Sequence, residues 1–252
     1  MIAVEPDRNT NRTRFVRRVD RRINLLALRA PAPQQIFNEA FTALELPKLL
    51  LRAPELATLK TRAPRHIMVL PGFGAGDAST FPLRSYLSYL GHSVTGWDRG
   101  LNVQDVEETL DELKVFVDRK TSELGVPIVL VGWSLGGYLA REVARDLPDR
   151  IEQVFTLGSP VIGGPKYTQL APLFRAQGVD VDWIEQAIIE REKNPLNTSV
   201  TAVFSKNDGV VAWQACIDKK SPNVEHFEVT ASHIGLGISA DAYRIIGLGL
   251  QD

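Results

Sequence analysis

Sulfur is scarce in this sequence. The lone cysteine, Cys216, excludes an intrachain disulfide and a cysteine-built zinc site; such a composition is compatible with a reducing compartment. No apolar run reaches the roughly 18 residues of a membrane-spanning helix. A secretory leader is not evident either, because the early apolar stretch 23–30 is short and Arg29 interrupts it. The expected location is therefore the cytoplasm. Net charge is nearly absent as well, at −1, so the chain as a whole is no polyanion binder. Histidines number four, few enough to weigh one by one.

What is present is the rhythm of an α/β domain. The 252 residues suffice for one such domain with a full core. From His66 onward short apolar runs alternate with longer amphipathic ones. Strands are expected at 67–70, 92–97, 127–131, 153–157, 200–205 and 224–229, and helices at 79–90, 103–124, 135–146 and 241–250. This pattern predicts a mostly parallel sheet of about six strands flanked by helices. Residues 1–62 read as a basic, partly helical N-terminal extension and 63–252 as the main domain. In the extension, Ile36, Ala40, Phe41 and Leu44 fall at helical spacing, and Pro47 is expected to stop that run. An insertion at about 160–198 is too long for a structureless loop and predicts a small helical cap. Asp182, with Glu185 three residues on, is the expected cap of a helix running to Lys193.

The segment 128–137 carries the chemistry. Gly132-Trp133-Ser134-Leu135-Gly136 follows a buried strand and opens a helix, the context in which G-x-S-x-G makes a sharp turn that presents a serine nucleophile. Serine needs a base. His66, His92 and His226 fall in or beside strands, whereas His233 lies in a loop after the last strand, at the carboxyl edge that also carries Ser134. Asp208 follows another strand and is the acid expected to orient His233, with Gly209 allowing the tight return; an ordinary Asp-Gly turn is the plainer reading of that pair. The glycine-rich loop after Leu70 offers amides for an oxyanion hole, with Phe73 and Leu135 as the chosen donors. A phosphate-binding loop is the weaker alternative there.

These residues carry a resemblance. Leu70–Phe73, Gly96-Trp97 with Gly100 and Asn102, Gly132–Gly137, Leu157–Pro160, Asp208-Gly209 with Trp213 and Cys216, and Ser232–Gly237 stand in one order. The chain thus resembles the lipase/esterase branch of the α/β-hydrolases, specifically a group of bacterial serine hydrolases, over residues 66–250. The resemblance implies the α/β-hydrolase fold, cleavage of small-molecule or lipid carboxylic esters through a Ser134-His233-Asp208 triad, and no cofactor or metal. An acyltransferase with the same triad, or a non-catalytic binding protein, stays open; so do thioester and amide substrates. Trp133, Phe174 and Trp183 are the expected substrate-binding residues. Asp98 departs from the usual pattern, and residues 1–62 lie outside the resemblance. Cys216 fits as a buried structural cysteine.

The amino terminus is lopsided in charge. Residues 1–30 hold eight arginines and three acids. Read as a helix, Arg14, Arg17, Arg18, Arg21 and Arg22 share a face opposite Phe15, Val16, Val19 and Ile23, which suggests peripheral contact with an anionic membrane. A solvated arm is the plainer reading, and nucleic acid is disfavoured because no reading element accompanies the charge. Membrane contact predicts that the chain sediments with anionic liposomes at low salt, releases at high salt, and loses binding when residues 1–30 are removed. A solvated arm predicts no binding in either form.

Overall fold

A computed structural model of the protein describes residues 17–19 and 28–251. Among the described residues, seven strands form one sheet: β1 (Arg17–Val19), β2 (His66–Leu70), β3 (Ser93–Thr95), β4 (Ile128–Trp133), β5 (Ile151–Leu157), β6 (Ser199–Ser205) and β7 (Val224–Val229). Their spatial order is β1-β7-β6-β5-β4-β2-β3. β2 to β7 run parallel, and β1 closes one edge antiparallel to β7. The helices are α1 (Glu45–Ala57), α2 (Asp77–Tyr89), α3 (Val106–Leu124), α4 (Leu135–Asp146), α5 (Ala171–Ala176), α6 (Val181–Arg191) and α7 (Ala240–Gly249).

Both faces of the sheet are buried, and the side-chain period of two divides them. Ile67 and Val69 of β2 join Leu83 and Leu87 of α2 and Tyr243 and Ile246 of α7. Met68 and Leu70 point the other way, to Leu113 and Val117 of α3 and Leu139 and Val143 of α4. This explains why the strands read as continuous apolar runs. No described helix is long and apolar enough to cross a membrane.

The six strands and four helices expected after His66 are present, and the insertion does form a helical cap from α5 and α6. Four expectations need correction. The sheet has a seventh strand, β1, where a helix was one reading; Arg17 to Val19 pair with Glu228 to His226, and the remainder of that arginine stretch lies outside the described residues. Pro47 does not stop the N-terminal run. It sits in the first turn of α1, where an amide has no intrahelical acceptor to lose, and the helix continues to Ala57. The helix of 181–191 is capped by Asp180, whose side chain accepts from the amides of Asp182 and Trp183. Asp182 and Glu185 instead hold Lys166.

The fourth correction concerns the stretch Pro33–Leu44, a 3₁₀ helix. Its apolar residues Ile36, Phe37, Phe41 and Leu44 are exposed. With about three residues per turn, Glu39, Thr42 and Glu45 fall on one line instead, and that polar line faces the protein. Behind it α1 packs on α7, and Leu56 is 2% exposed within the core cluster of β2, α2 and α7. Arg52 pairs with Asp241 and Arg244 with Glu55 across the α1–α7 contact, and Arg52 also pairs with Glu55 within α1. Leu56→Ala is expected to lose about 2–5 kcal/mol of stability, seen in thermal unfolding as a fall of several degrees. An appended segment that contributes nothing to the core would leave the midpoint unchanged.

Candidate active site

β4 runs directly into α4 through Ser134, which holds φ 54° and ψ −121°. A residue with a β-carbon rarely adopts such a backbone. The turn is tight enough to require bare glycines around it. A β-carbon on Gly132 would lie 2.3 Å from the Gly136 carbonyl oxygen, and one on Gly136 would lie 2.4 Å from that of Leu70. One on Gly137 would meet the Ser159 hydroxyl at 1.9 Å. The sequence pattern thus reflects close backbone approach at all three positions. The Ser134 amide donates to Leu157 O at 2.8 Å, which ties the turn to β5.

Asp208 and His233 occupy the carboxyl-edge loops after β6 and β7 and meet there. Asp208 Oδ2 lies 2.7 Å from His233 Nδ1, and both residues are buried. The other oxygen, Oδ1, accepts from the Val210 and Val211 amides at 2.9 and 2.7 Å. Those bonds satisfy the carboxylate and fix its plane, so Nδ1 carries the proton and Nε2 is left as the basic nitrogen. Burial pushes the His233 pKa down, but the charge and hydrogen bond of Asp208, with the charge of Glu39 added, outweigh it and hold it above the usual imidazole value. Two of the other histidines serve structure: His92 Nδ1 accepts from the Arg65 amide and His226 Nε2 from that of Asp218. Cys216 is buried, and desolvation raises its thiol well above the ordinary range.

The loop after β2 stands against the serine. A β-carbon on Gly72 would lie 3.2 Å from Ser134 Cβ. Asn102 locks this loop: its side chain donates to Pro71 O, its carbonyl accepts from Gly74 N, and its amide donates to Ala75 O. Asp77 in turn accepts from the Trp97 and Asp98 amides, which accounts for Asp98 at φ 55° in that turn. Leu135 opens α4, so its amide has no carbonyl one turn earlier. Among the described residues the Phe73 amide likewise has no acceptor. The Phe73 ring packs edge-on against Phe174 of α5, centroids 5.0 Å apart, so the cap meets the oxyanion loop. Trp133 is half-buried and packs beside His233. Its indole N–H donates to His233 O at 3.2 Å and its ring borders Gly237. Trp183 stands 59% exposed at the start of α6.

Sequence reasoning missed what lies beneath the loops that carry Asp208 and His233. Glu39 accepts from the backbone amides of Gly209, His233 and Ile234, at 3.0, 2.9 and 2.8 Å. Thr42 Oγ1 meets Ser232 Oγ at 2.7 Å. Gly209 has an ordinary φ; it is needed because a β-carbon there would lie 2.3 Å from the Gln35 carbonyl oxygen. The polar spacing of three at 39, 42 and 45 was the available signal.

Residues 15–233 match the family model described as "Alpha/beta hydrolase family", a span that begins ahead of β1 and includes Ser134, Asp208 and His233. A pimeloyl-[acyl-carrier protein] methyl ester esterase of Shewanella oneidensis is 30% identical over 113 residues, covering 41% of each chain. The chain therefore spans less than half the length of this curated relative. The mature form of a Bacillus licheniformis lipase superposes with a TM-score of 0.58 at 14% identity, covering 76% of this chain and 95% of the lipase. A Paleococcus ferrophilus monoacylglycerol lipase gives 0.55 at 15% identity, covering 75% and 96%. At such identities these two solved structures are alike in fold.

The His233 site makes a prediction that needs no substrate. Titrated by NMR, its imidazole is expected to ionise above the usual value of about 6.5. Asp208→Asn removes the larger of the two favourable charges and is expected to bring it down below the wild-type value. A titration unmoved by that substitution contradicts the electrostatic coupling.

Proposed function

The chain belongs to the alpha/beta hydrolase family, and on that premise we propose that it cleaves carboxylic esters, with Ser134 as nucleophile, His233 as general base and Asp208 as the orienting acid. The observation that carries this reading is the Asp208–His233 pair at 2.7 Å, set at the same sheet edge as a serine held in a strained turn beside an amide-bearing loop.

In the first step Ser134 Oγ attacks the ester carbonyl carbon while its proton passes to His233 Nε2. The C=O electron pair moves to oxygen, and the amides of Phe73 and Leu135 would stabilise that oxyanion. Collapse expels the alcohol, which takes the proton from His233, and leaves an acyl group on Ser134. Water, deprotonated by His233, then attacks the acyl carbon, and the carboxylic acid departs as Ser134 recovers its proton. Asp208 keeps Nδ1 protonated throughout and stabilises the imidazolium. The Phe73–Phe174 contact suggests where an acyl group would lie. The similarity to a methyl ester esterase supports an ester substrate.

Ser134→Ala is expected to leave the fold intact and to reduce ester turnover by several orders of magnitude. A phosphonate probe is expected to label Ser134 alone; labelling elsewhere, or full turnover by the variant, refutes the assignment. His233 must be neutral to accept a proton. Its pKa is raised, so ester turnover should fall as pH drops through a point above about 6.5. A rate that is flat from about pH 5 to 8 would exclude a histidine base.

A further inference from the structure

The most unusual feature near the catalytic loops is a carboxylate that belongs to none of them. Glu39 comes from the 3₁₀ segment of 33–44, nearly 170 residues before the acid loop. Its Oε1 accepts from Gly209 N, the residue after Asp208, and from His233 N itself. Its Oε2 accepts from Ile234 N. One side chain thus joins the loop after β6 to the loop after β7 through three backbone amides. Bonds of this kind, with an ionised acceptor, are stronger and more directional than neutral ones. Close packing accompanies them, since the Gln35 carbonyl occupies the space that any β-carbon on Gly209 would need.

We propose that Glu39 is a positioning residue for the acid–base pair, clamping the two loops so that Asp208 and His233 keep their register. The proposal rests on the reading of His233 as the base. Glu39 acts on catalysis in two ways. It fixes the backbone on either side of the Asp208–His233 contact, and its charge favours the imidazolium that forms in the transition state. The other charged or titratable groups around the pair are few. Asp208 faces His233 from the loop after β6, the Cys216 thiol lies beside Asp208, and Glu45 packs on Gly235 with its own charge held by Lys48. Trp133 closes the remaining side from β4 and carries no charge.

Three variants test it: Glu39→Gln, Glu39→Ala and, as a control in the same N-terminal segment, Arg52→Gln, which loosens α1 from α7 without touching the catalytic loops. A glutamine keeps one oxygen but loses the charge and turns an amino group toward an N–H donor. Glu39→Gln is expected to lower kcat about tenfold, and Glu39→Ala about a hundredfold, as small misplacements of reacting groups do; KM should stay within about threefold. In Glu39→Gln the acid limb of the kcat profile should move to lower pH, and the NMR titration of His233 should move the same way. Arg52→Gln should lower the unfolding temperature and move neither. A structural role alone would produce the reverse: loss of stability, with the pH limb and titration unmoved in Glu39→Gln. That result overturns the proposal, as does an equal shift in Arg52→Gln. If Glu39→Ala does not fold, Glu39→Gln decides. The titration does not depend on ester turnover, so a chain that shows the shift but no labelling of Ser134 sustains the clamp and refutes the ester reading.

Discussion

Ser134 holds a backbone conformation that a residue with a side chain disfavours, and the surrounding fold exists in a form that enforces it. Conformations of this kind cost on the order of 1–3 kcal/mol and persist only where neighbours over-determine them. Here the over-determination is visible. β4 lies between β2 and β5 in the sheet, so the chain enters the turn with pairing on both sides. α4 leaves it with its inner face fully buried, and the Gly137 amide closes onto Ser134 O at 3.0 Å. Three glycines admit backbone contacts that no other residue would. A chain released from any of these would relax the turn and turn the hydroxyl away from the sheet edge. The position of the serine is therefore a consequence of central-strand packing, and the partners need only be brought to it from β6 and β7.

That dependence explains which parts were legible in the sequence. The elbow was legible because its cause is local: a buried strand, glycines at fixed offsets and a helix starting one residue later. Asp208 and His233 were legible because a parallel sheet sends the loops after its strands to one edge, so chain order implies proximity. The N-terminal segment was not. β1 has three residues, too few for a periodic signal. The stretch of 33–44 was read with a period of 3.6, which aligns Ile36, Ala40 and Leu44; as a 3₁₀ helix it aligns Glu39, Thr42 and Glu45 instead. The period decides which face is inward. What that face meets is a row of backbone amides that donate to Glu39, so polar residues face in and Phe37 and Phe41 face out. Gly209 was misread for the same reason: its neighbour is the carbonyl of Gln35, more than 170 residues earlier, which nothing local announces.

The segment 31–57 is thus bound to the domain at two levels. α1 contributes Leu56 to the core and ion pairs to α7. The 3₁₀ stretch contributes hydrogen bonds to the catalytic loops, and its start is held by the cap, where the Gln169 side chain donates to Pro31 O and Ala32 O. The cap also reaches the acid loop directly, through the amide of Gln169 donating to Val210 O and that of Ala212 donating to Tyr167 O. Cap, N-terminal segment and acid loop are thus joined pairwise by hydrogen bonds, through the Gln169 and Glu39 side chains and through backbone bonds between cap and acid loop.

Two carboxylates bracket one buried imidazole, and the balance among them follows from solvation. Burial alone favours the neutral ring. Asp208 opposes that through direct contact at Nδ1, while Glu39 opposes it at longer range, because its oxygens are spent on amides and not on the ring. A base of raised pKa accepts the serine proton more readily but is neutral over a narrower range of pH. If His233 is the base, as proposed, the charge of Glu39 favours base strength over breadth of pH response. The charge that raises the His233 pKa thus comes partly from a segment far from it in sequence, held there by three backbone amides.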